Sequence, residues 1–309
     1  MNDVLNNIQI SAYHNSNAPI RLGLYFNAGA LLQPKGKEGL SHLLEHVVAN
    51  NVNNGTNEYV QAFTTKQEIY FIVVSYDSSF LKNSYEKICK IIRSGNYTNS
   101  TVQNEKLSVK NELSNIENDY PNNNQIILHD FLATKSQNTN IYGLVEGSHE
   151  TLSGITLEDL RTHQKNFLQK PSSIVITGNI NVNKELPSIL TKPFSKFDNN
   201  EPVINRLNTS SLTENITLED HILKTPRDTP FLGIGWSTPF IDAKTFIAQM
   251  IGLNALINPT NSYYNKTRGN LNIHDLALDH DIIFKQQVIF SIHTKISKAY
   301  IKHFISTLN

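Results

Sequence analysis

Residues 39–48 read Gly39-Leu40-Ser41-His42-Leu43-Leu44-Glu45-His46-Val47-Val48, two histidines and a glutamate set in an apolar stretch. Positions i and i+4 of a helix lie on one face, so both imidazoles can reach one metal ion while Glu45 points at the ion's open position. The order His-x-x-Glu-His reverses the commoner His-Glu-x-x-His of zinc hydrolases. Such a pattern also occurs on solvated helices. Here Leu40, Leu43, Leu44, Val47 and Val48 make the segment read as a buried helix, and ionisable groups in apolar surroundings need partners or a metal.

A catalytic zinc takes three protein ligands and a water, so a third ligand is required. The best source is the helical segment Ser100 to Leu113, which opens with a Ser/Thr cap signal and carries Glu105 and Glu112. These two lie two helical turns apart and share a face. One of them can coordinate the metal and the other can support the site from behind.

The match to a known family is longer than this motif. Pro19 to His46, PIRLGLYFNAGALLQPKGKEGLSHLLEH, resembles the opening strands and metal helix of the pitrilysin/insulinase family of zinc peptidases, which includes the mitochondrial processing peptidases and their bacterial relatives. Ala62-Phe63-Thr64-Thr65, followed by EIYFIVV, resembles that family's edge strand and its neighbour, where extended substrate is held. Gly147-Ser148-His149-Glu150-Thr151-Leu152 and ITLEDLRTHQKNFLQKPSSIVITGNI resemble the helix and closing strand of its first domain.

Carried over residue by residue, the resemblance implies that His42, His46 and Glu112 are the zinc ligands, Glu45 the general base and Glu105 the supporting carboxylate. Ala62, Phe63, Thr64 and Thr65 become the substrate-binding edge. In the segment Asn261 to Leu271, Arg268 falls on the position of an arginine with which the family holds substrate and the developing oxyanion. The tyrosine used beside it falls near Ile273 or His274, so part of that machinery is expected from a partner. The separation of His46 from Glu112 is shorter than the family's usual one. The difference lies between His46 and Ala62, and a trimmed, more open wall beside the site is expected.

The pattern of elements reads as α+β. Strand-like runs (Ile20 to Phe26, Ile69 to Ser75, Ser173 to Thr177) alternate with helical ones (Phe80 to Ile92, Val102 to Asn118, Leu157 to Phe167). Helices on one face of a mostly antiparallel sheet are the natural layering. The expected organisation is a metal-binding domain over 1–197, a polar linker over 198–213 and a second unit over 214–309. That second unit reads as a strand at Phe231 to Trp236, a helix at Ala243 to Ile257 and a strand-like run from Ile282 to Thr294. The resemblance makes the two units a duplicated α/β sandwich, with the second incomplete at Asn309 and exposing apolar surface that a partner subunit covers, in a homo- or hetero-dimer.

With 27 basic and 27 acidic residues the formal charge is zero, which gives no support for nucleic acid or an anionic membrane as partner. The single Cys89 leaves no internal disulfide. The N-terminus has neither a basic nor an apolar leader segment, and no apolar run approaches membrane-spanning length, so a cytoplasmic location is expected. No glycine-rich phosphate loop and no serine nucleophile elbow is present. The resulting expectation is a zinc (Zn2+) metalloendopeptidase acting on short or unfolded peptides, suited to peptide maturation. The alternative is a non-catalytic partner subunit of a peptidase complex.

Overall fold

The computed structural model describes residues 2–5, 8–53, 60–135, 145–181, 184–185, 189–190, 230–257, 273–283 and 287–306. By its contacts the chain divides into two compact units, one made of residues 1–113 and 141–204 and the other of residues 114–140 and 205–309. The linker expected over 198–213 lies outside the described residues.

In the first unit the strands are β1 (Asn2–Leu5), β2 (Ile8–His14), β3 (Ile20–Phe26), β4 (Val60–Thr64), β5 (Ile69–Ser75) and β6 (Ser173–Gly178). They form one sheet in the order β1-β2-β6-β3-β5-β4. Every pairing is antiparallel except β2 with β6, so the sheet is mixed but mostly antiparallel. β6 arrives late in the chain and inserts between β2 and β3, which closes the unit. β4 pairs with β5 alone among the described residues and forms one edge.

Helices α1 (Leu40–Asn53), α2 (Ser78–Ser94), α3 (Asn99–Asn118), α5 (His149–Gly154) and α6 (Leu157–Phe167) belong with this sheet, α3 reaching across the division at its end. α1 is the central one. Leu43, Leu44, Val47, Val48 and Val52 are all fully buried among Leu22, Leu24, Phe26, Ile69, Phe71 and Val73 of the sheet. Burial of each such side chain contributes about 1.5–3 kcal/mol, so the apolar row around the motif anchors the helix that carries it.

Caps set the ends of these helices. Asp77 accepts the Ser79 N–H (2.8 Å) at the start of α2, and Gly95 ends it in the left-handed conformation. Ser148 and Thr151 form a capping box on α5, and Thr156 and Asp159 form one on α6.

The second unit holds helix α4 (Tyr120–Lys135), strands β7 (Phe231–Pro239), β8 (Ile273–Ile283) and β9 (Gln287–Ile296), and helices α7 (Ala243–Ile257) and α8 (Ile301–Ser306). Its sheet is fully antiparallel in the order β7-β9-β8. Gly233 and Gly235 let α4 approach β7 closely, since a Cβ at Gly235 would lie 2.6 Å from Leu132 and 3.1 Å from Leu128. The strand-like run read from Ile282 to Thr294 is in fact the end of β8 and most of β9, two antiparallel strands that pair Ile283 with Gln287. The connecting Phe284-Lys285-Gln286 has no glycine, proline or asparagine to mark a turn.

Both units are α+β, helices against sheets. No helix among the described residues is long and apolar enough to cross a membrane.

Candidate metal centre

The entry to α1 is fixed by two glycines that only a missing side chain permits. Gly39 has φ 88° and Gly147 φ 71°, in the left-handed region. A Cβ on Gly147 would overlap the Glu38 carbonyl, and one on Gly39 would lie 2.7 Å from Leu152 and 2.9 Å from the Glu146 carbonyl. The Thr151 hydroxyl donates to the same Glu38 carbonyl at 2.9 Å. These contacts hold the loop 36–39 against α5, so α1 begins in one place. Within its first turn the Ser41 N–H donates to Gln33 Oε1 (3.0 Å), and Ser41 Oγ hydrogen-bonds His163 Nε2 of α6 (3.0 Å).

The helical repeat then puts His42, His46 and Asn50 on one face, with Glu45 beside them. The Nε2 atoms of His42 and His46 are 3.1 Å apart. Glu112 Oε2, from α3, lies 3.5 Å from His42 Nε2 and 3.4 Å from His46 Nε2. Glu45 Oε2 is 4.0 Å from His42 Nε2 and accepts a hydrogen bond from Thr64 Oγ1 at 3.3 Å. His42, Glu45 and His46 are close enough for their donor atoms to share one ion. The structure therefore brings together the four residues at the centre of the sequence reading, from two helices far apart in the chain.

Glu105 takes a different place from Glu112. Its Oε2 faces His46 Nδ1 at 3.4 Å, the far side of that imidazole, and its Oε1 accepts from the Asn50 amide. Lys106, the next residue of α3, is buried and donates to the carbonyls of Ser153 (3.1 Å) and Ile155 just past α5. That ammonium ties α3 to the same α5 that positions α1, which fixes the spacing of the two helices at the site.

A zinc ion with tetrahedral Zn–N and Zn–O distances of about 2.0–2.1 Å needs its ligand atoms about 3.3 Å from one another. The three separations 3.1, 3.4 and 3.5 Å meet that requirement. Burial, with the neighbouring His46, pushes the His42 imidazole down to about 3. It is neutral and has a lone pair to offer. The Glu45 carboxyl is pushed up to about 7, by burial first, with Glu112 and Glu105 acting in the same sense and His46 and the Thr64 hydroxyl opposing. The donor set, two imidazoles and the Glu112 carboxyl group with a second acid alongside, fits a zinc ion.

The remaining site residues are distributed unevenly. Ala62, Phe63 and Thr64 lie on β4, with Thr65 just after it. Phe63 is exposed and stacks on Tyr70 of β5 at 5.1 Å, on the face of the sheet opposite to Thr64. Arg268 lies outside the described residues. Ile273 begins β8 and is buried. Sequence reading missed Asn50, whose signal was its i+4 spacing from His46, and Gln33 and Lys106, which had none.

Residues 10–144 match the family described as Insulinase (Peptidase family M16). Among curated proteins, the chain is 18% identical over 247 residues to the probable mitochondrial-processing peptidase subunit beta of Arabidopsis thaliana, covering 75% of this chain and 46% of that one. It is 25% identical over 211 residues to cytochrome b-c1 complex subunit 1 of Saccharomyces cerevisiae, covering 65% and 45%. The chain thus spans about half the length of these curated relatives. Among solved structures it resembles a protease from Helicobacter pylori, with TM-score 0.72 and 15% identity over all of this chain and 78% of that one. Pitrilysin is also similar, with TM-score 0.64 and 14% identity over 98% of this chain and 34% of that one. At these identities the structural likeness is one of fold.

Proposed function

We propose that the chain, whose residues 10–144 match the insulinase family of peptidases, is a zinc-dependent endopeptidase acting on short or unfolded peptides. The observation that carries this reading is the triangle of His42 Nε2, His46 Nε2 and Glu112 Oε2, with sides of 3.1, 3.4 and 3.5 Å. A bound zinc supplies polarisation of the scissile carbonyl and acidification of a water. His42, His46 and Glu112 hold the ion in this reading, and Glu105 holds His46 in the tautomer whose Nε2 is free.

Glu45 is the proton carrier. Its carboxylate takes the proton of the attacking water and returns it to the leaving amine. The Thr64 hydroxyl, donating to Glu45 Oε2, keeps that carboxylate turned toward the site. Because Thr64 sits on the edge strand β4, a peptide that adds a strand there is drawn up beside Glu45. Backbone pairing of this kind accepts many sequences but demands an extended chain, so folded proteins are excluded.

Arg268 is assigned a catalytic role, holding substrate and the developing oxyanion, on the resemblance alone. We further place the protein in the cytoplasm, in peptide maturation, with a partner subunit in a homo- or hetero-dimer. Two of its relatives are named as subunits, one of a processing peptidase and one of the cytochrome b-c1 complex. Those names also favour a second reading, a non-catalytic partner subunit that lends its fold to an active sibling.

The test is cleavage of short unstructured peptides by the purified full chain, with and without chelator. Cleavage that chelator stops and zinc restores, and that Glu45→Gln removes, supports the enzyme. A chain that cuts nothing alone yet stimulates a co-purifying peptidase equally well with Glu45→Gln is the partner subunit.

A further inference from the structure

The two histidines of the site are held differently. His42 Nδ1 is buried and has no hydrogen-bond partner among the described residues. His46 Nδ1 faces Glu105 Oε2 at 3.4 Å. Metal-binding histidines usually donate their second ring N–H to an acceptor that fixes tautomer and ring orientation, and here His46 alone has one. The orientation of the donor set therefore hangs on the Glu105 side chain.

Glu105 could not do this unaided. A glutamate has three side-chain torsions, and only a small part of its rotamer range places Oε2 on His46 Nδ1. Its other oxygen, Oε1, accepts from Asn50 Nδ2. Asn50 lies one turn beyond His46 on the same face of α1, so α1 grips the Glu105 carboxylate at two successive turns, once by each oxygen. Glu105 itself is buried, while Asn50 is exposed at the end of α1 and packs into no core.

We propose that Asn50 is a positioning residue for the metal centre: its amide holds the Glu105 carboxylate in the rotamer that keeps His46 protonated on Nδ1 and leaves Nε2 free. The chain Asn50 to Glu105 to His46 is an arm, one hydrogen bond followed by one carboxylate–imidazole contact, that orients one ligand without touching metal or substrate. The inference rests on the reading of His42, His46 and Glu112 as zinc ligands.

Three variants of the full chain separate the donor from the shape. Asn50→Asp keeps the shape and removes the N–H, Asn50→Leu removes all polarity, and Asn50→Gln keeps the amide on a longer arm. Zinc affinity is measured by competition with a chromophoric chelator. Outer-shell partners of metal ligands are commonly worth about 10–100-fold in affinity, and a residue one bond further out is expected at roughly 5–20-fold for Asp and Leu. Asn50→Gln should recover to within about 2-fold by the same reasoning.

A second readout uses the metal-free protein. The imidazole 15N shifts of His46 should report the Nδ1–H tautomer in the wild type and a mixture in Asn50→Leu. The melting temperature in chelator should fall by only a few degrees in Asn50→Leu and least in Asn50→Gln, because Asn50 is exposed and only its bond to Glu105 is lost, and Asn50→Asp should fall furthest by setting a second carboxylate against Glu105. Wild type that binds zinc together with Asp and Leu variants that bind it equally well overturns the role of Asn50 alone. Wild type that binds no zinc overturns the metal centre itself. If Asn50→Leu fails to fold, the Asp and Gln variants decide the matter between them.

Discussion

Acid should loosen this protein through His163, and the effect can be isolated. His163 lies on α6 with 3% of its surface exposed, its Nε2 3.0 Å from Ser41 Oγ and 3.4 Å from the Ala28 carbonyl. Burial pushes its imidazole down to about 4, the Ala28 carbonyl opposing weakly, from 6.5 in an exposed histidine. Between pH 6.5 and 4 the unfolded chain binds a proton at this site that the folded chain does not, so stability falls as pH falls through that window and is fully present above it. A difference of 2.5 units corresponds to about 3 kcal/mol in total and about 2.5 kcal/mol by pH 4.5. Against typical stabilities of about 5–15 kcal/mol that is a large share. His163→Gln keeps a donor near Ala28 and Ser41 but cannot titrate. Denaturant unfolding of both proteins in chelator, at pH 7.5 and pH 4.5, reads the difference. Wild type should lose about 2.5 kcal/mol more than His163→Gln. Equal losses would refute the reasoning, because every other titrating group is common to the two.

Other substitutions probe the site and its supports. Glu45→Gln should bind zinc with unchanged stoichiometry while peptide turnover falls by about 10²–10⁴-fold, the usual worth of a positioned base; a variant that cleaves at the wild-type rate contradicts the assignment. Gly147→Ala should cost at least about 1–2 kcal/mol, measured by denaturant midpoint, since a side chain there is both strained at φ 71° and in collision with the Glu38 carbonyl. Lys106→Met should lower stability by about 1–3 kcal/mol by leaving the Ser153 and Ile155 carbonyls at the end of α5 without their donor, and should weaken zinc binding through the displaced α3. An unchanged zinc affinity in Lys106→Met would separate the two helices' spacing from the site.

The parts of the fold legible in the sequence are those set by local pattern. The apolar row Leu40, Leu43, Leu44, Val47, Val48 is fully or almost fully buried, and the helix Ala243–Ile257 and the strands Ile20–Phe26 and Ile69–Ser75 have the bounds their periodicity gives. The i, i+4 rule placed His42 and His46 together, and the two-turn spacing placed Glu105 and Glu112 on one face of α3.

What could not be read are partnerships across the chain. Nothing local shows that β2 pairs with β6, some 160 residues later, or that α4 packs on Gly235 of β7. The pattern around Glu105 and Glu112 does not say which one faces the imidazoles' Nε2 atoms. That follows from the register between α1 and α3, which Lys106 and the carbonyls of Ser153 and Ile155 set. The β8–β9 hairpin escaped because its connection carries no turn residues. Arg268, assigned by resemblance, falls outside the described residues.

Metal analysis of the full chain, purified without added zinc and then dialysed against a trace of it, tests the account at its root. One zinc per chain in the wild type, lost in His46→Ala and again in Glu112→Ala, is the result expected of the triangle at positions 42, 46 and 112. A wild type that remains metal-free at micromolar zinc, or one whose zinc survives both substitutions, contradicts it.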